Sequence, residues 1–133
     1  MGCDNLDAWA AGFIDGEGYL AIIQRKPGLY QGRVEVAQTR REPLERLQVL
    51  FGGRIVKLRP REGRRPTWRW DMSAGSEIAA CLRRIRPFLI VKGDEADILL
   101  EFAETVGVRG LHTNEATKQN RERLRLSLLE TRG

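Results

Sequence analysis

Two carboxylates stand two positions apart in the segment AAGFIDGEGYL, residues 10 to 20, and their type and spacing invite chemistry. Asp15 and Glu17 alternate with Gly16 and Gly18 at the end of a run of small and apolar residues. Carboxylate and carbonyl oxygens are hard ligands that suit a divalent cation, and glycines let backbone carbonyls come close. Acids at a helix C-terminus also oppose the negative end of the macrodipole, at about 0.3–1 kcal/mol each when unpaired, so something positive should lie nearby. The segment alone leaves solvent, an arginine or a metal ion open as that partner. An EF-hand is excluded, because Lys26 stands where a loop beginning at Asp15 requires its final glutamate.

The elements that must position these acids follow from periodicity. Asp4 or Asn5 can cap a first helix whose apolar positions run to Phe13 and Ile14, with Gly16 and Gly18 ending it. One stripe of this helix is large (Leu6, Trp9, Ala10, Phe13) and is expected in the core; the other is small (Ala8, Ala11, Gly12, Asp15) and would admit a second helix at close range. YLAIIQRK and GRVEVAQT read as a hairpin turned at Pro27 and Gly28. EPLERLQVLF is a second helix, and RIVKLR with TWRWDMS a second hairpin. SEIAACLRRIRPF, DEADILLEFAETVG and NEATKQNRERLRLSLLE are three further helices, the first ending near Pro87. The pattern predicts one α+β domain over 1–133, with an antiparallel sheet covered by helices on one face and free on the other.

Ile22, Val34, Val36, Trp68, Trp70 and Met72 are the expected inward residues, which sends Tyr19, Arg25, Arg33, Glu35, Arg69 and Asp71 outward, with Lys57 and Arg59 on the neighbouring strand. Arg54, Lys57, Arg59, Arg61, Arg64, Arg65 and Arg69 put seven basic residues into sixteen positions against the single acid Glu62. The net charge of +5 and pI near 9.8 point to a polyanionic partner, and the bias of 19 Arg against 4 Lys suits bidentate contact to phosphate and guanine edges. The charged fifth helix is expected to pack on the scaffold, not to read DNA.

Other classes are excluded. No apolar run approaches the roughly 20 residues that span a bilayer, and Asp4 and Asp7 interrupt any signal peptide, so an intracellular protein is expected, in bacterial cytoplasm or an organelle matrix. One histidine, His112, gives zinc no ligand set, and Cys3 and Cys81 are expected to be free thiols.

Ala10, Ala11, Gly12, Phe13, Ile14, Asp15, Gly16, Glu17 and Gly18 align in order with the nine-residue signature of the LAGLIDADG homing endonuclease family, which this chain resembles along nearly its full length. The alternation of helices and hairpins is similar to the family's αββαββα core, and RPFLIVKGDEADILLE resembles a later segment in which Pro-Phe-Leu precedes an active-site lysine. The resemblance implies that Glu17, standing where the motif usually has Asp, holds the catalytic Mg²⁺ with help from the carbonyl of Gly16, Mn²⁺ or Ca²⁺ being able to substitute for binding. It implies that Lys92 and Gln38 organise water and charge at the scissile phosphate, joined by Arg40 or Arg41. It implies double-stranded DNA as partner, bound by Tyr19, Arg25, Arg33, Glu35, Lys57, Arg59, Arg61, Arg64, Arg65, Arg69 and Asp71.

One motif supplies one Glu17, whereas cutting a duplex needs two active sites, so a homodimer through Ala8, Ala11, Gly12 and Asp15 is expected, with a near-palindromic target. The resemblance also implies short 3′ overhangs and an intron host, the chain being too short to hold intein segments. The rival expectation is a non-cleaving protein of the same fold, an RNA-splicing maturase or a DNA-binding regulator.

Overall fold

The structure, a computed structural model, describes residues 2–60, 62–106 and 115–132, of which 2–4 as backbone alone. Arg61, His112 and the side chains of Cys3 and Asp4 lie outside the described residues. The elements in chain order are α1 (Gly2–Glu17), β1 (Gly18–Lys26), β2 (Leu29–Gln38), α2 (Glu42–Phe51), β3 (Arg54–Lys57), β4 (Trp68–Met72), α3 (Gly75–Ile85), a 3-10 turn (Arg86–Phe88), α4 (Gly93–Thr105) and α5 (Glu115–Arg132). This is the expected α+β order. The four strands make one antiparallel sheet, β1-β2-β4-β3, so the hairpins lie side by side and β1 and β3 are edges.

Alternation along the strands puts Leu20, Ile22, Val34, Val36, Trp70 and Met72 into the core, each at most 6% exposed, against Ile14, Leu44, Ile78, Leu82, Leu99 and Phe102 of the helices. Gly32 lies on that face, where an added Cβ would come within 3.2–3.3 Å of Leu99, Ile78 and Phe102, so glycine lets α3 and α4 close onto the sheet. Gly28 turns the first hairpin at φ +79°, which an L side chain rarely adopts. Helix α5 packs as scaffold through Leu124 and Leu128, and the Tyr30 hydroxyl donates to Glu122 at 2.6 Å. Cys81 is a free, buried thiol, and burial pushes it up to about 12.

Helix α1 departs from expectation. It starts at Gly2, so Asp4 and Asn5 lie inside it and do not cap it. Its buried face is Asp7, Ala10, Ala11 and Ile14, while Leu6 and Trp9 are 39% and 37% exposed and the Trp9 and Phe13 rings stack at 5.5 Å on the open side. The cause is an ion pair remote in sequence. Arg84 of α3 donates to Asp7 at 2.7 and 3.1 Å and to the Leu50 carbonyl at 2.9 Å, and lies 4.7 Å over the Phe51 ring. That pair, buried at Asp7 and half-buried at Arg84, goes with a rotation of α1 that leaves Trp9 on the open side while Phe13 is half-buried against the core.

Candidate active site and nucleic-acid interface

The last turn of α1 is bonded to the segment before α4. Asp15's carboxylate accepts backbone N–H groups from Ile90 (2.9 Å), Val91 (3.0 Å) and Lys92 (2.8 Å), and the Lys92 ammonium donates to the Asp15 carbonyl at 2.7 Å. Burial raises the Asp15 pKa, but the N–H groups of Val91, Lys92 and Ile90, with the charge of Lys92, outweigh it and hold the carboxyl below its ordinary value. The cation that the helix end calls for is therefore Lys92, and Asp15 is a brace joining two elements. Its carboxylate is thereby engaged within the chain. Gly18 has no left-handed φ; a Cβ there would sit 2.7 Å from the Ile14 carbonyl, so glycine permits β1 to leave the helix at close quarters.

Two residues further on, Glu17 is exposed and its carboxylate has no hydrogen-bond or ion-pair partner among the described residues. Gly16 is also exposed. No cluster of three or more His, Cys, Asp or Glu exists among the described residues, so the donors at the end of α1 are the Glu17 carboxylate and nearby carbonyls. That donor set fits Mg²⁺, which keeps several waters and takes one or two carboxylates together with substrate phosphate. Gln38 ends β2 at the same end of the sheet, since Val36 two residues earlier pairs with Gly18. Its register, opposite Trp68, is that of the core-facing residues, and it is half-buried without a bonding partner among the described residues. Of the two arginines that follow, Arg41 is engaged over the Trp68 ring at 4.8 Å and with Glu45 at 3.8 Å, whereas Arg40 is exposed and unpaired among the described residues.

The sheet face away from the core carries most of the expected contact residues. Cross-strand pairs Tyr19↔Glu35, Ala21↔Arg33, Glu35↔Asp71 and Arg54↔Asp71 put these side chains on one surface, with Arg69 beside them. Arg25 joins them through a 3.0 Å bond to Gln31. Asp71, 4% exposed, is gripped by Arg54 and Arg69, each at 2.9 Å, and Arg69 also reaches Glu35 at 3.6 Å. Asp71 thus positions two arginines. The Arg33 Nε is buried with no partner among the described residues. Arg59, Arg64 and Arg65 of the β3–β4 loop line a cleft with Leu58, Pro60 and Thr67 of the same loop and Thr39 after β2.

Lys57 is a correction. It pairs with Trp68 and its ammonium lies 5.6 Å over that ring, on the core-facing side, because the register of β3 makes Arg54 and Val56 the outward residues. The outer face also carries Ile23, Gln31 and Arg54, with Ala21 buried between its neighbours there. The alternation that turned Ile22 and Val34 inward already sends Ala21, Ile23 and Gln31 to this face.

The open face of α1 runs from Ala8 through Gly12 to Gly16, flanked by Leu6, Trp9 and Phe13. An added Cβ at Gly12 or Gly16 would meet nothing within 4 Å. Ala11, expected on this face, is wholly buried in the chain's own core.

No protein-family model matches the sequence, and no curated protein matches it. Among solved structures, the chain is similar to the homing endonuclease I-CvuI in complex with its target in the presence of 2 mM Ca (TM-score 0.80, 19% identity, 98% of this chain and 83% of that one). It is similar to the archaeal intron-encoded homing endonuclease I-Vdi141I complexed with DNA (TM-score 0.79, 24% identity, 96% and 84%). A third likeness is to I-SmaMI bound to an uncleaved DNA target with calcium ions (TM-score 0.75, 18% identity), where 93% of this chain spans 45% of that one. The chain has the LAGLIDADG homing endonuclease fold.

Proposed function

We propose that this chain is a LAGLIDADG-type homing endonuclease, a divalent-metal-dependent enzyme that cuts double-stranded DNA at a specific site as a homodimer. The observation that carries this reading is Glu17: a carboxylate without a partner among the described residues, beside the braced Asp15–Lys92 joint, at one end of an arginine-bearing sheet face. Binding DNA requires the arginines but not an unpaired acid, which repels phosphate; hydrolysis through a metal requires that acid.

In this reading Glu17 and the Gly16 carbonyl would hold Mg²⁺, which would supply an activated water and charge stabilisation at the departing oxygen. Lys92 spends one ammonium proton on the Asp15 carbonyl and has two more donors for a scissile-phosphate oxygen. Gln38, and Arg40 with its uncommitted guanidinium, place further donors at the same end of the sheet. Arg54 and Arg69, held apart and oriented by Asp71, present guanidinium edges to guanine or phosphate in the major groove. Two copies packed through Ala8, Gly12 and Gly16 bring two Glu17 side chains to one duplex, which calls for a near-palindromic target and short 3′ overhangs. An intron-encoded origin and an intracellular setting accompany this reading.

The test is cleavage of a randomised duplex library with Mg²⁺ or with EDTA, wild type beside Glu17→Gln, with the cut ends sequenced. Metal-dependent cuts at one near-palindromic sequence, lost in the variant, are expected. Specific binding without cuts under Mg²⁺ or Mn²⁺ would overturn the nuclease in favour of a binding-only protein of this fold.

A further inference from the structure

Tyr19 is the first side chain after Glu17 on the outer sheet face, and it is 44% exposed. Its far side is held by a residue 113 positions away. Arg132, in the last turn of α5, lies with its guanidinium carbon 4.5 Å from the centre of the Tyr19 ring and donates through one Nη to the Tyr19 hydroxyl at 3.2 Å. Its other Nη donates to the Leu20 carbonyl on edge strand β1, and its Nε to Glu95 of α4 at 3.1 Å. Glu95 is itself only 8% exposed, so the guanidinium is anchored on an acid with little freedom to move. One planar group thus ties the end of α5 and the first turn of α4 to the start of β1. Tyr19, Lys92 and Arg132 line a common cleft.

The chemistry of that contact has a direction. A guanidinium only donates, so the phenol oxygen must accept from it, and the phenol's own proton is left for the solvent-facing side. Stacking under the guanidinium fixes the ring plane at the same time. A free tyrosine offers both a donor and an acceptor and turns about two torsions; a tyrosine so held offers a directed donor with little rotamer entropy left to lose.

We infer that Arg132 is a positioning residue that converts Tyr19 into a directed hydrogen-bond donor, aimed at an acceptor atom of the DNA next to the cutting site. The inference rests on the DNA-binding reading above and extends it. The acceptor is either a base-edge oxygen or nitrogen or a phosphate oxygen. A Lys at 132 keeps the charge and the bond to Glu95 but lacks the planar fork that serves three acceptors and covers a ring.

The experiment uses the full chain as wild type, Tyr19→Phe, Arg132→Lys, Arg132→Ala and the double variant Tyr19→Phe/Arg132→Lys. Melting temperature and base-by-base binding preference on a duplex library in Ca²⁺ are measured for each. The two tyrosines, Tyr19 and Tyr30, also give ring signals that NMR separates after Tyr30→Phe assigns them. Arg132→Lys is expected to shift the Tyr19 ring signals, leave those of Tyr30 in place, melt close to wild type, and weaken binding about 3- to 10-fold, as loss of one hydrogen bond does. The double variant is expected to be no weaker than Tyr19→Phe alone. A loss confined to one base position in both single variants assigns a base-edge acceptor; an equal loss at all positions assigns a phosphate. Losses that add in the double variant, or an Arg132→Lys protein with wild-type preference and affinity, would overturn the inference. If Arg132→Ala lowers melting and Arg132→Lys restores melting, ring signals and binding together, the residue is only a structural tie. Failure of the wild type to bind any duplex would instead remove the DNA reading itself, whatever the ring signals do.

Discussion

Gly12→Ala separates what α1 does for its own chain from what it does for a second copy. Gly12 lies inside a 16-residue helix and a Cβ there meets nothing within 4 Å, so the substitution costs no packing in the chain. Alanine is favoured over glycine in a helix interior by about 0.8–1 kcal/mol, so the isolated chain should gain close to that amount. For a domain of this size that is a rise of about 2–5 °C in melting temperature, read at concentrations where the protein is monomeric. In the proposed homodimer the sign reverses. If two α1 backbones meet at Gly12, two methyl groups enter the contact near the twofold axis, and overpacking of this kind costs about 1–3 kcal/mol. The dimer dissociation constant, measured by sedimentation over a concentration series, should then rise roughly 5- to 150-fold. Cleavage of a duplex should fall with it and recover at high protein concentration. A chain whose association is unchanged by Gly12→Ala would refute the argument that this face receives a second copy. A chain whose monomer is destabilised would refute the claim that the glycine is free of its own core.

The same substitution at Gly18 should go the other way, because a Cβ at 2.7 Å from the Ile14 carbonyl forces backbone to move: Gly18→Ala is expected to destabilise the chain by about 1–3 kcal/mol in urea titration, and a neutral result would refute the close-approach account. Hydrogen bonds from Arg125 and then from Tyr30, with the charge of Arg125, hold the Glu122 carboxyl down at about 2 against an ordinary 4.5. A carboxylate depressed in the folded state adds stability that is complete above pH 4.5 and is lost as pH falls toward 2. Glu122→Gln should therefore flatten the acid limb of stability in that window while changing little in shape above pH 5; an unchanged acid limb would show that the group does not couple to folding.

How far the sequence could be read depended on whether the partners of a residue were near it in the chain or set by a repeating pattern. Strand alternation is local, and it placed Ile22, Val34 and Val36 inward and Tyr19, Arg33 and Glu35 outward without any knowledge of the sheet order. Lys57 was misplaced because its face depends on the register of β3 against β4 across a ten-residue loop, and nothing in RIVKLR states that register. The rotation of α1 was misjudged for a related reason. Hydrophobic periodicity assumes that bulky apolar residues go inward, but the pair Asp7–Arg84, 77 positions apart, puts a carboxylate on the buried face and leaves Leu6 and Trp9 exposed, with Phe13 only half-buried. Asp15 was the hardest to read, since its three donors are backbone N–H groups of residues 90–92, and main-chain donors leave no trace in side-chain identity.

The motif AAGFIDGEG carried the candidate site through these gaps because it fixes a spacing. Two carboxylates at i and i+2 on a helix end lie on different sides of the axis, so one can be spent on the fold while the other stays free. Asp15 takes the first role, bracing α1 to Lys92, and Glu17 takes the second. A substitution that exchanged the two acids would conserve composition and charge, yet would set the longer side chain against N–H groups now met at 2.8–3.0 Å and would move the free carboxylate back by one methylene. The geometry of the brace and the reach of the free acid are therefore separate demands on neighbouring positions, and they explain why the segment tolerates an unfavourable helix end.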